Sequence, residues 1–150
     1  MAGRLSVLFD RTVGRRSYKI HRFLYRHTRG IIGHRSPQGP MLLLTTVGRK
    51  SGLARTTPLL YMPDGPRFIV VASNGGRDER PAWLLNLSAN PDAELQVGSR
   101  IIAVTAEVLD AEARTKMWPR LAEQYKGWKH YETLTDRDLK VVAFTPAPNR

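Results

Sequence analysis

The sequence predicts an α+β domain that is mainly β, with about six antiparallel strands, short peripheral helices and an N-terminal amphipathic helical arm. From residue 41 onwards, apolar side chains alternate at the period of a strand, and Gly, Pro and Asn clusters separate these runs. In residues 1–39, apolar side chains recur instead at helical spacing. We therefore divide the chain into an arm and linker, residues 1–40, and a β domain, residues 41–150.

Length and composition narrow the classes of function. A chain of 150 residues fits one domain with a real core. The absence of cysteine excludes disulfides, thiolate metal sites and cysteine nucleophiles. The scattered histidines have few carboxylates nearby, so no metal site is expected. No apolar run is long enough to span a bilayer and no signal peptide begins the chain, so the expected location is the cytoplasm.

Positive charge is concentrated in the arm. The net charge is +11, and residues 1–39 hold nine Lys or Arg against one acid, Asp10. A basic amphipathic helix pair suits an anionic membrane surface, here the inner face of the cell membrane. Alternatively, the apolar stripe packs on the β domain and leaves the arginines in water. Nucleic acid is not expected as a partner, because no DNA- or RNA-binding module accompanies the charge.

Six segments have the alternation and turn boundaries of strands. Short turns join the first three, which predicts a three-stranded antiparallel meander. Pro58 falls within the second strand, where it cannot donate to a ladder, so we expect an edge, a bulge or a ligand-facing opening there. The predicted strands are Met41–Val47, 55–62, 67–73, 93–97, 100–109 and 139–145.

Helices are predicted between the later strands. Pro81 suits the first turn of a helix over residues 82–88, and Asp110 suits the N-cap of a helix that begins at Ala111. Pro119 should restart or kink this second helix. We expect the second helix to cover one end of the barrel.

The loop between the first two predicted strands has the composition of an anion site. Arg49, Lys50 and Arg55 fall within seven positions, and glycines on both sides allow the backbone to approach a ligand closely. The spacing does not match a Walker A loop, and the residues that follow predict a strand rather than a helix. We therefore expect a phosphate that belongs to some other ligand. The alternative is an ordinary hairpin with solvated charges.

A glycine-bearing segment follows the third predicted strand. Gly75 and Gly76 carry no side chains, so their backbone can lie flat under a ring system. Trp83 and Asn86 lie three apart on the next predicted helix and so share one face, from which both can meet a ligand. The alternative for Trp83 is a core anchor.

Tyr125, Trp128 and Tyr131 are spaced to form one aromatic wall on a helix, with a hydroxyl at each end. This wall is a candidate for the substrate side of the site. The alternative is an aromatic stripe used only as core.

Several of these motifs occur together and in order between residues 41 and 146: LLTTVGRKSG at 43–52, RTTPL at 55–59, ASNGG at 72–76, PAWLLNL at 81–87 and Asn90-Pro91. In this combination the chain resembles the deazaflavin-dependent nitroreductase family, which are split-β-barrel oxidoreductases that use coenzyme F420, an 8-hydroxy-5-deazaflavin. The resemblance implies that residues 41–150 form a split-barrel cofactor-binding domain.

The resemblance also implies an F420H2-dependent reductase that transfers a hydride to an electron-poor acceptor such as a quinone, a conjugated enone or a nitroaromatic. The small-molecule acceptor would lie near Ser73, Tyr125, Trp128 and Tyr131, and Ser73, Tyr131 or solvent would assist proton delivery. The implied cofactor-binding residues are Arg49, Lys50, Ser51, Gly52, Arg55, Thr57, Pro58, Ala72, Ser73, Asn74, Gly75, Gly76, Trp83 and Asn86. Asn74 stands where the family often has Lys, and Trp128 where it has a tyrosine.

Two other functions remain open at this point. The same barrel could hold FMN or haem in place of F420. The chain could also be a non-catalytic module that binds a membrane surface or nucleic acid. Binding of each cofactor to the protein distinguishes these alternatives.

Overall fold

The structure is a computed structural model that describes residues 39–148. Seven antiparallel strands form one sheet in the order β2-β1-β5-β6-β7-β4-β3. The strands are β1 (Met41–Val47), β2 (Ala54–Leu60), β3 (Met62–Asp64), β4 (Arg67–Val71), β5 (Asp92–Val97), β6 (Arg100–Val108) and β7 (Val141–Pro146). The helices are α1 (Ala82–Ala89), α2 (Ala111–Gln124) and α3 (Lys126–Leu134), and a 3₁₀ turn spans Asn74–Gly76.

The predicted strand over residues 55–62 is two strands, because the ladder is interrupted at Tyr61. The Tyr61 N–H donates to the carbonyl of Pro40 at 3.1 Å, and its carbonyl accepts from the Gln124 amide at 2.8 Å. Pro40 faces Tyr61 in the β1–β2 register, so the first bond extends that pairing by one residue, whereas the second attaches Tyr61 to α2. The predicted three-stranded meander is therefore wrong: β2 pairs with β1, whereas β4 pairs with β3 and β7.

This connection explains why the sheet curls into a split barrel. β2 and β3 are consecutive in the chain but lie at opposite edges of the sheet, so the two edges must meet at Tyr61. Away from this corner, β2 faces β4 without a ladder between them, and the barrel stays open along that seam. Pro58 lies in β2, so the edge position expected for a proline is confirmed.

Strands β4 and β7 are buried on both faces. Val70 and Phe144 belong to the core inside the barrel, and Trp83 of α1 packs into the same cluster. The alternate residues Ile69 and Val141 belong to a second core, formed with α2 and α3. Successive side chains of a strand point to opposite faces, and here both faces are covered by a core. The sequences of β4 and β7 are therefore apolar at nearly every position instead of alternating.

The helices mostly begin where the sequence predicts. The Ala113 N–H donates to Asp110 Oδ1 at 2.8 Å, which confirms the predicted N-cap of α2. Helix α2 continues through Pro119, so it does not restart there, and a kink at this proline stays a prediction. α2 ends at Gln124, and α3 begins directly after Tyr125.

The arm and linker were predicted for residues 1–40, of which residues 1–38 lie outside the described part of the chain. The helices of the arm and the domain boundary at residue 40 therefore stay predictions. Between residues 39 and 148, no helix has the length and apolar character needed to span a membrane.

Candidate active site in the open seam of the barrel

The cationic loop joins β1 to β2 and is closed by its own backbone. The Gly48 N–H donates to the Leu53 carbonyl at 2.7 Å, and the Gly52 N–H donates to the Gly48 carbonyl at 2.8 Å. Gly52 has a φ of 70°, the left-handed conformation that glycine adopts at low cost. This turn leaves Arg49 and Lys50 exposed at its outer end.

Asn86 of α1 fixes the loop to the body of the protein. Its side-chain oxygen accepts from the Arg49 backbone N–H at 3.1 Å, and its amide nitrogen donates to the Thr46 hydroxyl at 3.1 Å. Asn86 is 4% exposed, and its bond to Thr46 is buried whereas its bond to Arg49 is partly buried. The residue therefore acts mainly by holding the loop in place.

A cavity of about 430 Å³ opens beside this loop. Arg49, Lys50 and Arg55 line it, and all three are exposed. Within residues 39–148, none of the three takes part in an ion pair. The cavity thus presents three positive charges that no acidic side chain of the described part of the chain neutralises. Its other lining residues are Gly48, Ser51, Thr56, Thr57, Ala82, Trp83 and Asn86.

A second cavity of about 340 Å³ lies in the seam between β2 and β4. It shares Thr57, Ala82 and Trp83 with the first cavity, so the two adjoin. Leu59 and Val71 give it apolar walls from the two strands that face each other across the seam. The rest of its lining is Ser73, Asn74, Gly75 and Pro81.

The 3₁₀ turn that forms one wall of the second cavity is left-handed along its length. Asn74, Gly75 and Gly76 have φ values of 47°, 64° and 78°. Asn74 is the non-glycine residue of the three, and asparagine tolerates this conformation better than most side chains. Its amide donates to the Glu79 carbonyl at 2.9 Å, which occupies the side chain within the loop.

The two glycines of this turn have different surroundings. A Cβ on Gly75 would meet no atom within 4 Å, and Gly75 lines the second cavity, as the predicted ring shelf requires. A Cβ on Gly76 would lie 3.0 Å from Leu134 Cδ1 and 3.3 Å from Tyr131 Cα. Gly76 is buried against α3, and its N–H donates to the Ser73 carbonyl at 2.9 Å. Gly76 does not line the second cavity, so we retain the shelf at Gly75, and a contact between the Gly76 amide and a ring stays a prediction.

Three other predicted cofactor residues line neither cavity. Ala72 is fully buried in the inner core, where a ligand cannot reach its side chain. Pro58 is exposed on β2 between Thr57 and Leu59, which do line the cavities. Gly52 shapes the loop through its backbone without lining the first cavity.

The predicted aromatic wall divides into a buried residue and a hydroxyl pair. Trp128 is 3% exposed and belongs to the second core, so the core alternative explains its position. The hydroxyls of Tyr125 and Tyr131 lie 3.2 Å apart. This hydrogen bond, followed by burial, raises the pKa of Tyr125 above its usual value of 10.0. Neither tyrosine lines the two cavities, although Tyr131 packs directly behind Gly76.

Sequence reasoning missed several residues of the site. Thr56, Leu59 and Ala82 line the cavities. Alternation along β2 from Arg55 and Thr57 could have identified Leu59, and the helical spacing from Asn86 could have identified Ala82. Arg137 was also missed, although its side chain bonds to the Ala72 and Ser73 carbonyls. Nothing in the sequence places residue 137 beside residue 73, so this contact depends on the fold.

Comparison with known proteins decides the family. The model of the family described as F420H(2)-dependent quinone reductase matches residues 12–146 of the chain. The chain belongs to this family. It is accordingly an oxidoreductase whose cofactor is coenzyme F420, as the resemblance implied.

Relatives and solved structures agree with this family. An F420H(2)-dependent quinone reductase of Mycobacterium tuberculosis strain H37Rv is 38% identical over 145 residues, covering 94% of this chain and 97% of the relative. A solved F420-H2 dependent reductase is 36% identical, with a TM-score of 0.64, and covers 70% of this chain and 93% of its own. The haem storage protein HutZ from Vibrio cholerae is 14% identical, with a TM-score of 0.55. The match covers 73% of this chain and 82% of the HutZ chain, and at this identity it shows a likeness in fold alone.

The described residues fit F420 by charge and by shape. The phosphate and acidic groups of the cofactor need cations, which the first cavity supplies without competing carboxylates in its lining. A flat ring needs a wall without a side chain, which Gly75 supplies. Haem fits less well, because among residues 39–148 no His, Met, Cys or Tyr lines either cavity as an axial ligand.

Proposed function

We propose that this enzyme binds reduced F420 across the two adjoining cavities and reduces a quinone-type acceptor in the open seam of the barrel. The observation that carries the proposal is the continuity of the site. A cavity with three cations, none in an ion pair with the described residues, leads past Thr57 and Trp83 into a cavity with apolar walls and a glycine edge. Charge at one end and an apolar slot at the other suit a ligand that has an anionic tail and a flat ring.

The tail of F420 is assigned to the β1–β2 loop. Arg49, Lys50 and Arg55 can each form charge-assisted hydrogen bonds with phosphate or carboxylate oxygens. Asn86 holds the Arg49 backbone, so the loop is in position before the ligand arrives. Ser51 adds a hydroxyl to the lining, although it already accepts from the Leu53 N–H at 3.1 Å.

The deazaflavin ring is assigned to the seam. Leu59 and Val71 exclude water from two sides, Trp83 forms the boundary with the first cavity, and Gly75 leaves the remaining edge free of a side chain. Trp83 is 6% exposed and packs in the inner core, so its position is fixed by the fold. A rigid, largely apolar slot of this kind orients a ring and shields it from bulk solvent.

Reduced F420 supplies a hydride when bound, and reduction of a quinone to a quinol requires this hydride and a proton. Ser73 lines the second cavity, and its hydroxyl forms no hydrogen bond with the described residues. We assign it to donate to a carbonyl oxygen of the acceptor. The proton comes from this hydroxyl, from solvent or from Tyr131, which must first move from its place behind Gly76.

A quinone is favoured over an enone or a nitroaromatic for two reasons. The family and the M. tuberculosis relative are both named as quinone reductases. The walls that Leu59 and Val71 supply also match the apolar ring of a quinone. The basic arm of residues 1–39 supports contact with an anionic membrane surface, where lipid-soluble quinones occur.

The direct test is a titration of the protein with F420, FMN and haem, followed by an acceptor screen with reduced F420. We expect F420 to bind more tightly than FMN and haem, and a short-chain quinone to give a higher kcat/KM than an enone or a nitroaromatic. FMN or haem binding as tightly as F420 would contradict the cofactor assignment. Equal turnover of all three acceptor classes would contradict the preference for quinones.

Membrane contact is tested separately. The full chain should sediment with vesicles of anionic phospholipid and remain in solution with neutral phosphatidylcholine vesicles, because the attraction is electrostatic. A chain that begins at residue 39 is a further comparison, since it removes eight net positive charges. Equal sedimentation with both kinds of vesicle would remove the membrane assignment.

A further inference from the structure

The side chain of Arg137 lies against the segment that carries the glycine edge of the second cavity. Its Nη1 donates to the Ala72 carbonyl at 3.1 Å, and its Nη2 donates to the carbonyls of Ser73 at 3.0 Å and Arg77 at 3.1 Å. Nε also donates to the Arg77 carbonyl, at 3.3 Å. One guanidinium thus binds three carbonyls of residues 72–77, and we call this set of contacts the Arg137 clasp.

A second contact joins the same two segments. The Thr135 hydroxyl donates to Asp78 Oδ1 at 2.7 Å and accepts from the Arg137 backbone N–H at 3.1 Å. The segment between α3 and β7 therefore bonds to residues on both sides of the 3₁₀ turn, to Ala72 and Ser73 before it and to Arg77 and Asp78 after it. Sequence separations of 57 to 65 residues make these contacts purely tertiary.

The turn depends on such outside contacts, because its backbone forms few hydrogen bonds of its own. Asn74, Gly75 and Gly76 are all left-handed, and consecutive residues of this hand are uncommon in proteins. Inside the turn, the Gly76 N–H bonds to the Ser73 carbonyl and the Arg77 N–H bonds to the Asn74 carbonyl, the latter at 3.3 Å. These are the two backbone hydrogen bonds of the turn, and the second is long. Contacts from other segments are therefore needed to hold the turn in its conformation.

We propose that Arg137 is a positioning residue for the cofactor: through the clasp it holds the left-handed turn so that Gly75 keeps its open edge toward the ring. Arg137 lines neither cavity, so it acts through the backbone of residues 72–77 rather than by touching the ligand. The planar fork of a guanidinium reaches several carbonyls at once, which a lysine ammonium cannot do in the same geometry. This inference rests on the proposed placement of the F420 ring.

The test compares Arg137→Ala, Arg137→Lys and the control Arg100→Ala, which removes an exposed arginine at the start of β6. Amide hydrogen exchange is measured first, in protein without cofactor. We expect exchange at Gly76 and Arg77 to rise about tenfold in Arg137→Ala, to rise less in Arg137→Lys and to stay unchanged in Arg100→Ala. The Leu109 amide, which bonds to Val141 across the sheet, should not change in any variant.

F420 titration of the same variants gives the second readout. Arg137→Ala should weaken F420 binding about tenfold, with partial recovery in Arg137→Lys. Unchanged exchange at Gly76, or an equal rise at Leu109, would overturn the clasp as a local support. Faster exchange at Gly76 with unaltered F420 affinity would overturn its role in positioning. Failure of the wild-type protein to bind F420 would contradict the proposed function instead, and the exchange result would stand by itself.

Discussion

The Asn86 side chain accepts a hydrogen bond from the Arg49 backbone N–H at 3.1 Å, across 37 positions of sequence. The same buried amide donates to the Thr46 hydroxyl. One residue of α1 thereby holds the cationic loop against the end of β1. The position of the positive charges at the mouth of the first cavity consequently depends on a neutral side chain.

Replacing this amide should affect both stability and cofactor binding. Asn86→Ala leaves the Arg49 N–H and the Thr46 hydroxyl without their partner, so we expect a loss of about 1–3 kcal/mol in the free energy of unfolding. F420 affinity should fall as well, because the loop is no longer fixed. Urea unfolding and F420 titration measure the two effects.

Asn90→Ala is a matched control for this change. The Asn90 side chain accepts from the Asp92 N–H at 3.1 Å, so its loss also removes an amide hydrogen bond next to α1. This variant should lose stability while its F420 affinity stays unchanged. A similar loss of affinity in both variants would show that Asn86 has no special role at the loop.

Charge reversal tests the anion site directly. The double variant Arg49→Glu/Lys50→Glu should weaken F420 binding by several kcal/mol, roughly the value of two charge-assisted contacts with added repulsion. Lys126→Glu/Lys129→Glu is the matched control, because these lysines are exposed on α3 and line neither cavity. Unchanged affinity in the first variant would remove the phosphate assignment, and the wild-type affinity should decrease with added salt.

The two neighbouring glycines should respond differently to alanine. A methyl at Gly76 would press on Leu134 and on the Tyr131 backbone, so Gly76→Ala should mainly reduce the free energy of unfolding, by about 2 kcal/mol or more. A methyl at Gly75 meets open space, so Gly75→Ala adds only about 1–2 kcal/mol of backbone strain. Its larger effect should be about a tenfold loss of F420 affinity from a side chain at the ring edge.

Thermal unfolding and F420 titration of both variants separate these effects. If Gly75→Ala bound F420 as well as the wild type does, the ring could not lie against this residue. If Gly76→Ala were as stable as the wild type, its packing against α3 would not explain the glycine.

The Tyr125–Tyr131 pair gives a prediction at alkaline pH. The hydrogen bond from Tyr131 raises the pKa of Tyr125 in the folded protein above the usual 10.0. A raised folded-state pKa contributes stability that is fully present below pH 10.0 and is lost as the pH rises through the folded value. The stability advantage of the wild type over Tyr131→Phe should therefore shrink above pH 10.0.

Urea unfolding at a series of pH values measures this advantage, and carbon NMR of labelled tyrosine follows the pKa of Tyr125. The single variant Tyr125→Phe and the double variant complete a mutant cycle. An advantage that stays constant above the folded pKa of Tyr125 would contradict the coupling of the two hydroxyls.

Parts of the fold could be predicted because they depend on local patterns. Met41–Val47 and the Asp110 cap agree with their predictions, since strand alternation and capping are properties of a few adjacent residues. The break at Tyr61 could not be predicted. It lies where the pairing of β2 with β1 ends and the Tyr61 carbonyl bonds to Gln124 of α2, a residue far away in sequence.

The candidate site shows the same division. The cations of the β1–β2 loop and the glycine at residue 75 were predicted, because their residue types already indicate the chemistry. Trp128 was expected near the substrate but is buried, since helical spacing fixes which residues share a face and not what that face contacts. Gly76 was expected beneath the ring, but its surroundings are set by Leu134 from a distant helix.

The sequence by itself determined the cationic loop, the glycine segment at residues 75 and 76, most of the strands and the motifs of the F420-dependent family. These are properties of residue type and short-range spacing, which the chain carries before it folds. Only the tertiary structure decided that β2 and β4 face each other across an open seam, that Asn86 fixes the loop and that Arg137 holds the turn. Such contacts join residues far apart in sequence, and they form only when the sheet curls until its two edges meet at Tyr61.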